Sequence, residues 1–212
     1  MSQIKKAPQG SNELRIITTS LKVERRSDSN APPKIVGHAS VFDQWTTLYS
    51  GQYWVWREIV RPGAFRNALA ENQDVVALFN HDYNLILGRS SAGTLLLKED
   101  SVGLYCEIDP PDTQLGRDLA VSIERGDIPG MSFGFRVRPN GDATTIRIQG
   151  NQEIEERELL DLDLFDVSPV VSPAYPTTDV SMRSRIDLRD RPHFDQRRAR
   201  AHVRLRLAEA AD

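Results

Sequence analysis

Short segments in which apolar and polar side chains alternate constrain the fold of this chain most strongly. One segment is 131–138, in which Phe133, Phe135 and Val137 lie on one side. Another is 159–167, in which Leu160, Leu162 and Leu164 lie on one side. Alternate side chains of a strand point to opposite faces, so each segment predicts a strand with one buried face. Further runs rich in apolar or β-branched residues predict strands at 14–23, 34–42, 74–80, 94–98 and 103–108.

Two segments have the spacing and end residues of helices. Residues 66–71 follow Pro62, which suits a first helical turn. Leu115, Leu119 and Ile123 recur every four residues between a capping residue, Asp112 or Thr113, and a glycine at 126. Many strands and two helices, without regular alternation of the two, predict a mainly β domain of the α+β class, or a β-barrel.

Charge divides the chain unevenly. Residues 182–212 contain nine arginines and five acidic residues, although the formal net charge of the whole chain is −3. We expect a flexible N-terminal segment at 1–12, one domain at 13–181 and an Arg-rich, solvated tail at 182–212. Acidic residues interrupt the basic tail and aromatic residues are almost absent from it, so a nucleic-acid contact is disfavoured.

Several classes of protein are excluded or disfavoured by what the sequence contains. It has no apolar run of about 18 residues, which disfavours a membrane-spanning helix, and no apolar stretch near Lys5 and Lys6 that would suit a secretory signal. Its single cysteine, Cys106, excludes an intrachain disulfide and a multi-cysteine metal centre, and is expected to fill the core. We predict no cofactor and no bound metal.

Few residues can supply acid–base or nucleophilic chemistry. Of four histidines, two lie in the tail and His38 is expected to be structural, which leaves His81 at the end of an apolar strand as a candidate base. Ser132 lies between Gly130 and Gly134, where a peptide backbone could approach closely. A surface histidine and an ordinary strand-start serine are the alternatives, and on spacing alone they are favoured.

Two further features have mainly structural interpretations. Residues 44–56 contain three tryptophans and two tyrosines without clear periodicity, and are expected to form a loop. That loop would cover the core or line a substrate groove, and packing is the favoured role because aromatic residues usually serve burial. Asp82, next to His81, is interpreted as a residue that makes local hydrogen bonds in a turn.

Several short motifs follow one another along the body of the chain. They are Gly37-His38-Ala39-Ser40-Val41-Phe42, Arg61-Pro62-Gly63-Ala64-Phe65, Phe79-Asn80-His81-Asp82, Leu87-Gly88-Arg89, Gly93-Thr94-Leu95, Gly103-Leu104-Tyr105, Gly130-Met131-Ser132-Phe133-Gly134-Phe135 and Asp166-Val167-Ser168-Pro169-Val170-Val171-Ser172-Pro173-Ala174-Tyr175-Pro176. Their order resembles that of the prohead (capsid maturation) protease family of tailed phages. The resemblance covers about residues 34–180.

The resemblance implies a serine endopeptidase with a herpesvirus-assemblin-like β-barrel flanked by helices. The family's histidine falls on His81 and its nucleophile on Ser132. Its acidic member falls on Asp166, where the family usually has glutamate, so the shorter side chain has less reach. Asp163 and Glu158 are the alternatives for this third role. Backbone N–H groups near Gly134, or near the turn at 88–89, are the candidate oxyanion donors.

The same resemblance implies partners and a place of action. Substrates would be the scaffold segment of the major capsid protein precursor and the protease itself, and a homodimer is possible. The protein would act in the host cytoplasm, inside the prohead during assembly, with no membrane or nucleic-acid partner. The competing hypothesis is a non-enzymatic capsid scaffolding protein that keeps the same core.

Overall fold

Thirteen strands and two helices form the part of the chain that the computed structural model describes, which comprises residues 12–17, 21–25 and 32–171. In chain order they are β1 (Glu13–Ile17), β2 (Lys22–Glu24), β3 (Lys34–Val41), β4 (Thr46–Ser50), β5 (Trp54–Val60), α1 (Arg66–Ala70), β6 (Val76–Phe79), β7 (Asp82–Arg89), β8 (Leu95–Glu99), β9 (Gly103–Ile108), α2 (Gln114–Arg125), β10 (Gly130–Val137), β11 (Asp142–Gln149), β12 (Gln152–Leu159) and β13 (Leu162–Val170). The mainly β class with few helices is confirmed.

The strands form three sheets that pack around a shared apolar core. Their orders are β1-β10-β13-β6-β7, β11-β12-β5-β4 and β2-β3-β9-β8. Among the described residues the sheets do not close into the barrel that the family resemblance implies. A barrel requires the first and last strands of a sheet to pair, whereas β1 and β7 lie at opposite edges of the five-stranded sheet.

The local signals for the second helix and for one hairpin are confirmed. Thr113 caps α2 by accepting a hydrogen bond from the Gly116 N–H, and Gly126 ends it with φ +83°. Strands β8 and β9 form the expected hairpin. Helix α1 is a single short turn at the expected place.

The pattern at 159–167 was expected to be one strand and is two. Strand β12 ends at Leu159, and the N–H groups of Leu160 and Asp161 both donate to the Gly141 carbonyl before β13 begins. Leu160, expected on the buried face, is therefore exposed. The run at 14–23 likewise divides between β1 and β2, which belong to different sheets.

Strands β4 and β5 occupy the segment that was expected to be an aromatic loop. Trp54 and Trp56 lie on β5 with parallel rings whose centroids are 6.3 Å apart, and both are buried together with Leu48. The packing interpretation of these two tryptophans is confirmed. The two side chains pack beside the sheet β11-β12-β5-β4.

A buried ion cluster joins β1 to the second sheet. We define it by Glu13, Arg15, Glu58, Asp142 and Arg157. Arg15 Nε lies 2.5 Å from Glu58 Oε1, and Arg157 contacts Asp142 Oδ2 at 2.7 Å and Glu13 Oε2 at 2.8 Å. Burial by itself would lower the pKa of Arg157. Its carboxylate partners Glu13, Glu58 and Asp142 raise the pKa by more, so that it lies well above its ordinary value. The Arg157 guanidinium therefore keeps its positive charge.

Two predicted regions fall largely outside the described residues. The N-terminal segment at 1–12 is described only at Asn12, and the tail at 182–212 is not described. No helix within the described ranges is long and apolar enough to cross a membrane.

Candidate active site

Strand β10 presents Ser132 from the middle of the five-stranded sheet. Met131, Phe133 and Phe135 point into the core, and Ser132 points to the opposite face because side chains alternate along a strand. Strand β10 pairs with β1 on one side and with β13 on the other, which places Ile16 and Ser168 opposite Ser132. Ser132 is fully buried. A substrate carbonyl would therefore reach it only where local packing opens.

His81 lies in a two-residue turn between β6 and β7. Asn80 and His81 both have positive φ, +53° and +59°, as a type I′ hairpin turn requires. A turn was expected at Asp82 to Asn84, so the observed turn begins two residues earlier than expected. Asn80 ties it to β13, because its N–H donates to the Pro169 carbonyl and its side chain accepts from the Val171 N–H, both at 3.1 Å. Backbone geometry thus fixes the position of the imidazole.

A β-bulge turns Asp166 toward this face. Gly134 pairs with Asp166, but the next residue of β10, Phe135, pairs with Leu164, so Phe165 has no partner on β10. Regular alternation would have placed Asp166 on the core side with Leu162 and Leu164. The extra residue reverses the alternation, which is how bulges redirect side chains near active sites.

Gly134 provides the space that the Asp166 carboxylate occupies. A Cβ at this position would lie 2.2 Å from Asp166 Oδ2, much closer than non-bonded atoms allow. Glycine was expected here to admit a substrate backbone. In the structure it instead admits the carboxylate of the neighbouring strand.

The three predicted site residues form one continuous path of polar contacts. His81 Nε2 lies 2.5 Å from Ser132 Oγ, and His81 Nδ1 lies 2.6 Å from Asp166 Oδ1. The shorter aspartate reaches the imidazole. Of the alternative carboxylates, Asp163 bonds to Arg138 and Gln73, and Glu158 bonds to Arg61. Such a path allows a neutral imidazole to take a proton from the hydroxyl while a carboxylate stabilises the imidazolium.

A second acceptor also contacts the Ser132 hydroxyl. The carbonyl oxygen of Arg15 on β1 lies 2.9 Å from Ser132 Oγ. A hydroxyl has one proton, so Ser132 donates either to this carbonyl or to His81. Only the second arrangement is ready for proton transfer to the imidazole.

One pair of candidate oxyanion donors is far from the nucleophile. Arg89 is opposite Val76, Val76 is opposite Asp166, and Asp166 is opposite Gly134. Three steps between neighbouring strands separate Arg89 from β10, or about 14 Å. The backbone at 88–89 is therefore too distant to contact a carbonyl bound at Ser132.

The other residues singled out from the sequence make local contacts. Cys106 is buried, and burial raises the pKa of its thiol to about 12, which keeps it protonated. His38 Nε2 lies 2.9 Å from Asp100 in the turn between β8 and β9. Asp82 accepts from the Asn84 N–H at 2.8 Å, so its local hydrogen-bonding role is confirmed, although it begins β7 and does not lie in the turn. No group of three or more potential metal ligands occurs within the described ranges.

A family model matches most of the chain. The model of the caudovirus prohead serine protease matches residues 19–191, a range that includes His81, Ser132 and Asp166. The chain belongs to this family. It is 38% identical over 104 residues to the "Prohead protease" of Enterobacteria phage HK97, covering 48% of this chain and 41% of that relative. The matched region is thus less than half of the relative's length.

One solved structure is a more distant match. The bacteriophage T4 capsid assembly protease, gp21, is 12% identical with a TM-score of 0.39, covering 76% of this chain and 99% of that one. The family model, and not this structure, establishes membership in the prohead protease family.

Sequence reasoning missed two groups that contact the path. Ser168 Oγ lies 3.1 Å from Asp166 Oδ1, and the Arg15 carbonyl contacts Ser132. The spacing of Ser168, two residues after Asp166 on a strand, was a usable signal, because such residues share a face. The pairing of β1 with β10 had no signal in the sequence.

Proposed function

We propose that this chain is a serine endopeptidase that cleaves the scaffold segment of the major capsid protein precursor, and itself, during prohead maturation. Membership in the prohead serine protease family supports this function. The observation that carries it is the path from Ser132 through His81 to Asp166, which joins three distant parts of the chain at 2.5 and 2.6 Å.

Each residue of the path has one role in the proposed reaction. Ser132 Oγ attacks the scissile carbonyl carbon while its proton passes to His81 Nε2. Asp166 accepts the hydrogen bond from Nδ1–H, which holds the imidazole in the correct tautomer and stabilises the imidazolium. His81 then gives the proton to the leaving amine, and a water molecule hydrolyses the acyl-enzyme by the same steps in reverse order.

The proposal also assigns a setting. Residues 13–181 form the protease domain, the substrate is the capsid protein precursor, and cleavage takes place inside the prohead in the host cytoplasm. The active form is a homodimer, and analytical ultracentrifugation of the full chain tests this. The reaction needs no cofactor, because the imidazole and hydroxyl supply the proton transfer and the nucleophile.

Co-expression of the full chain with the capsid precursor tests the function. Mass spectrometry of both proteins reports cleavage sites and self-cleavage together. Ser132→Ala removes the attacking oxygen, so we expect loss of processing by at least about 10³-fold with the melting temperature little changed. Labelling by a fluorophosphonate probe should require both Ser132 and His81.

Ser40→Ala is the matched control. Ser40 is fully buried on β3, and its hydroxyl has no hydrogen-bond partner in the described part of the chain. This variant should process the precursor normally. Continued processing of the precursor by Ser132→Ala would overturn the proposal. Capsid assembly in which neither the wild type nor a variant cleaves the precursor would favour the scaffolding protein.

A further inference from the structure

We propose that Ser168 is a positioning residue that acts on turnover through Asp166 and His81. The proposal rests on the proposed function, since it concerns the same site. Ser168 follows Asp166 by two residues on β13 and is directly opposite Ser132 on β10. It is fully buried, so its hydroxyl depends on partners within the protein.

The available protons decide what the Ser168 hydroxyl does. Its oxygen lies 3.1 Å from Asp166 Oδ1 and 3.3 Å from His81 Nδ1. Nδ1 carries a proton that it donates to Asp166 at 2.6 Å, so Nδ1 does not accept one from Ser168. The Ser168 O–H therefore donates to Asp166 Oδ1. That oxygen accepts from both His81 and Ser168.

Two neighbours restrain the carboxylate from different sides. Ser168 bonds to Oδ1, and Gly134 lies against Oδ2 with no room for a Cβ. The terminal torsion of an aspartate is soft, so without the Ser168 donor the carboxylate can turn about its Cβ–Cγ bond. His81 would then be its main restraint, and the imidazole is the group that must stay aligned with Ser132.

We expect Ser168 not to contact a bound peptide. Its oxygen lies at the Nδ1 end of the His81 imidazole, beside Asp166, whereas Ser132 lies at the Nε2 end. Its loss should therefore change the rate of the chemical step and leave substrate binding almost unaltered. This separation of kcat from KM distinguishes positioning from a general loss of structure.

Steady-state cleavage of a peptide from the capsid precursor tests the proposal with the full chain. Hydrogen bonds to charged groups are strong, so Ser168→Ala should lower kcat by about tenfold or more with KM within about twofold of wild type. Ser168→Thr keeps the hydroxyl and should recover kcat to within about threefold. Cysteine is a weaker donor of similar size, so the kcat of Ser168→Cys should lie between those of the alanine and threonine variants. This variant keeps the test valid if threonine is too large to fit.

A double-mutant cycle shows whether the effect passes through Asp166. In an Asp166→Asn background, Ser168→Ala should change kcat by no more than about twofold. Ser40→Ala, the buried serine on another sheet, should change neither constant. Melting temperatures are measured for all variants, so that a folding defect is recognised separately.

The outcomes separate this proposal from the proposed function. The positioning role is overturned if Ser168→Ala leaves kcat unchanged, or if it lowers kcat equally in the wild type and in the Asp166→Asn background. In either case the proposed protease function still stands, as long as wild-type turnover depends on Ser132. Turnover that does not depend on Ser132 in the wild type overturns both. A loss in Ser168→Ala that neither threonine nor cysteine relieves overturns the hydroxyl as its cause.

Discussion

The strand pair β1–β10 has a buried polar cluster on each face, and the two clusters differ in kind. On one face Ser132 joins the path to His81 and Asp166. On the other, Arg15 contacts Glu58 and stacks over the Phe135 ring at 5.3 Å as part of the ion cluster. Alternation along β1 and β10 separates the two clusters by the thickness of the sheet.

The difference lies in whether protons can move. Guanidinium groups remain charged at any ordinary pH, so the ion cluster can only hold β1, β5, β11 and β12 together. An imidazole between a hydroxyl and a carboxylate can take a proton from the hydroxyl and pass it on, as general acid–base catalysis requires. Burial of polar groups alone therefore does not distinguish the two clusters. They differ because one contains an imidazole and the other contains guanidinium groups.

Asp166→Asn should produce the largest change and should affect rate alone. Loss of the carboxylate leaves the wrong imidazole tautomer, which lowers kcat by about 10³- to 10⁴-fold in serine proteases. Peptide turnover measures the effect, and thermal denaturation should show a small change. Asp163→Asn, on the same strand but bonded to Arg138, is the control. An equal loss of turnover in that control would assign the third role to Asp163.

Arg157→Leu should have the opposite result, with a large effect on stability and a small one on rate. It leaves the buried Glu58 and Asp142 without a cation, so the free energy of unfolding should fall by about 3–5 kcal/mol. Urea denaturation measures it, and turnover per folded molecule should stay near wild type at low temperature. Arg147→Leu, an exposed neighbour, should cost less than about 1 kcal/mol. Similar costs for both would contradict the distinction between the faces.

Gly134→Ala should have a smaller effect that involves both rate and stability. The added methyl group displaces the Asp166 carboxylate, and a displacement of about 1 Å can lower turnover by about 10²-fold. Peptide turnover and urea denaturation measured together separate the two effects. Gly150→Ala has open space but positive φ, so it should cost stability without loss of turnover. Normal turnover in Gly134→Ala would show that Asp166 does not depend on this glycine.

The sequence pointed to three residues that the structure brings into contact, but it did not predict how the strands bring them together. Residue types and motif order pointed to His81, Ser132 and Asp166 without any knowledge of strand pairing. The bulge at Phe165, which turns Asp166 away from the core, was not predicted. Its trace in the apolar pattern is small: the buried apolar residues are two positions apart at Leu162 and Leu164, and three apart at Leu164 and Val167. Its position depends on pairing with β10, which is a long-range property.

The missed strands have a similar explanation. Strand β12 contains Glu153, Glu155 and Arg157, which are buried although charged. A hydrophobic pattern cannot identify such a strand, because partners on β1, β5 and β11 make its burial possible. Local signals such as the Thr113 cap were predictable because they need only neighbouring residues.

The order of strands in the five-stranded sheet has a consequence for when the protein could first act. Strand β13 is the last described strand in the chain, yet it lies between β10 and β6. Chains fold while they are made, starting from the N-terminus. The strand of Ser132 and the hairpin of His81 are therefore joined through β13, which also carries Asp166. A nascent chain that lacks β13 cannot contain the complete candidate site, so the proposed protease would become active only after that strand has been made.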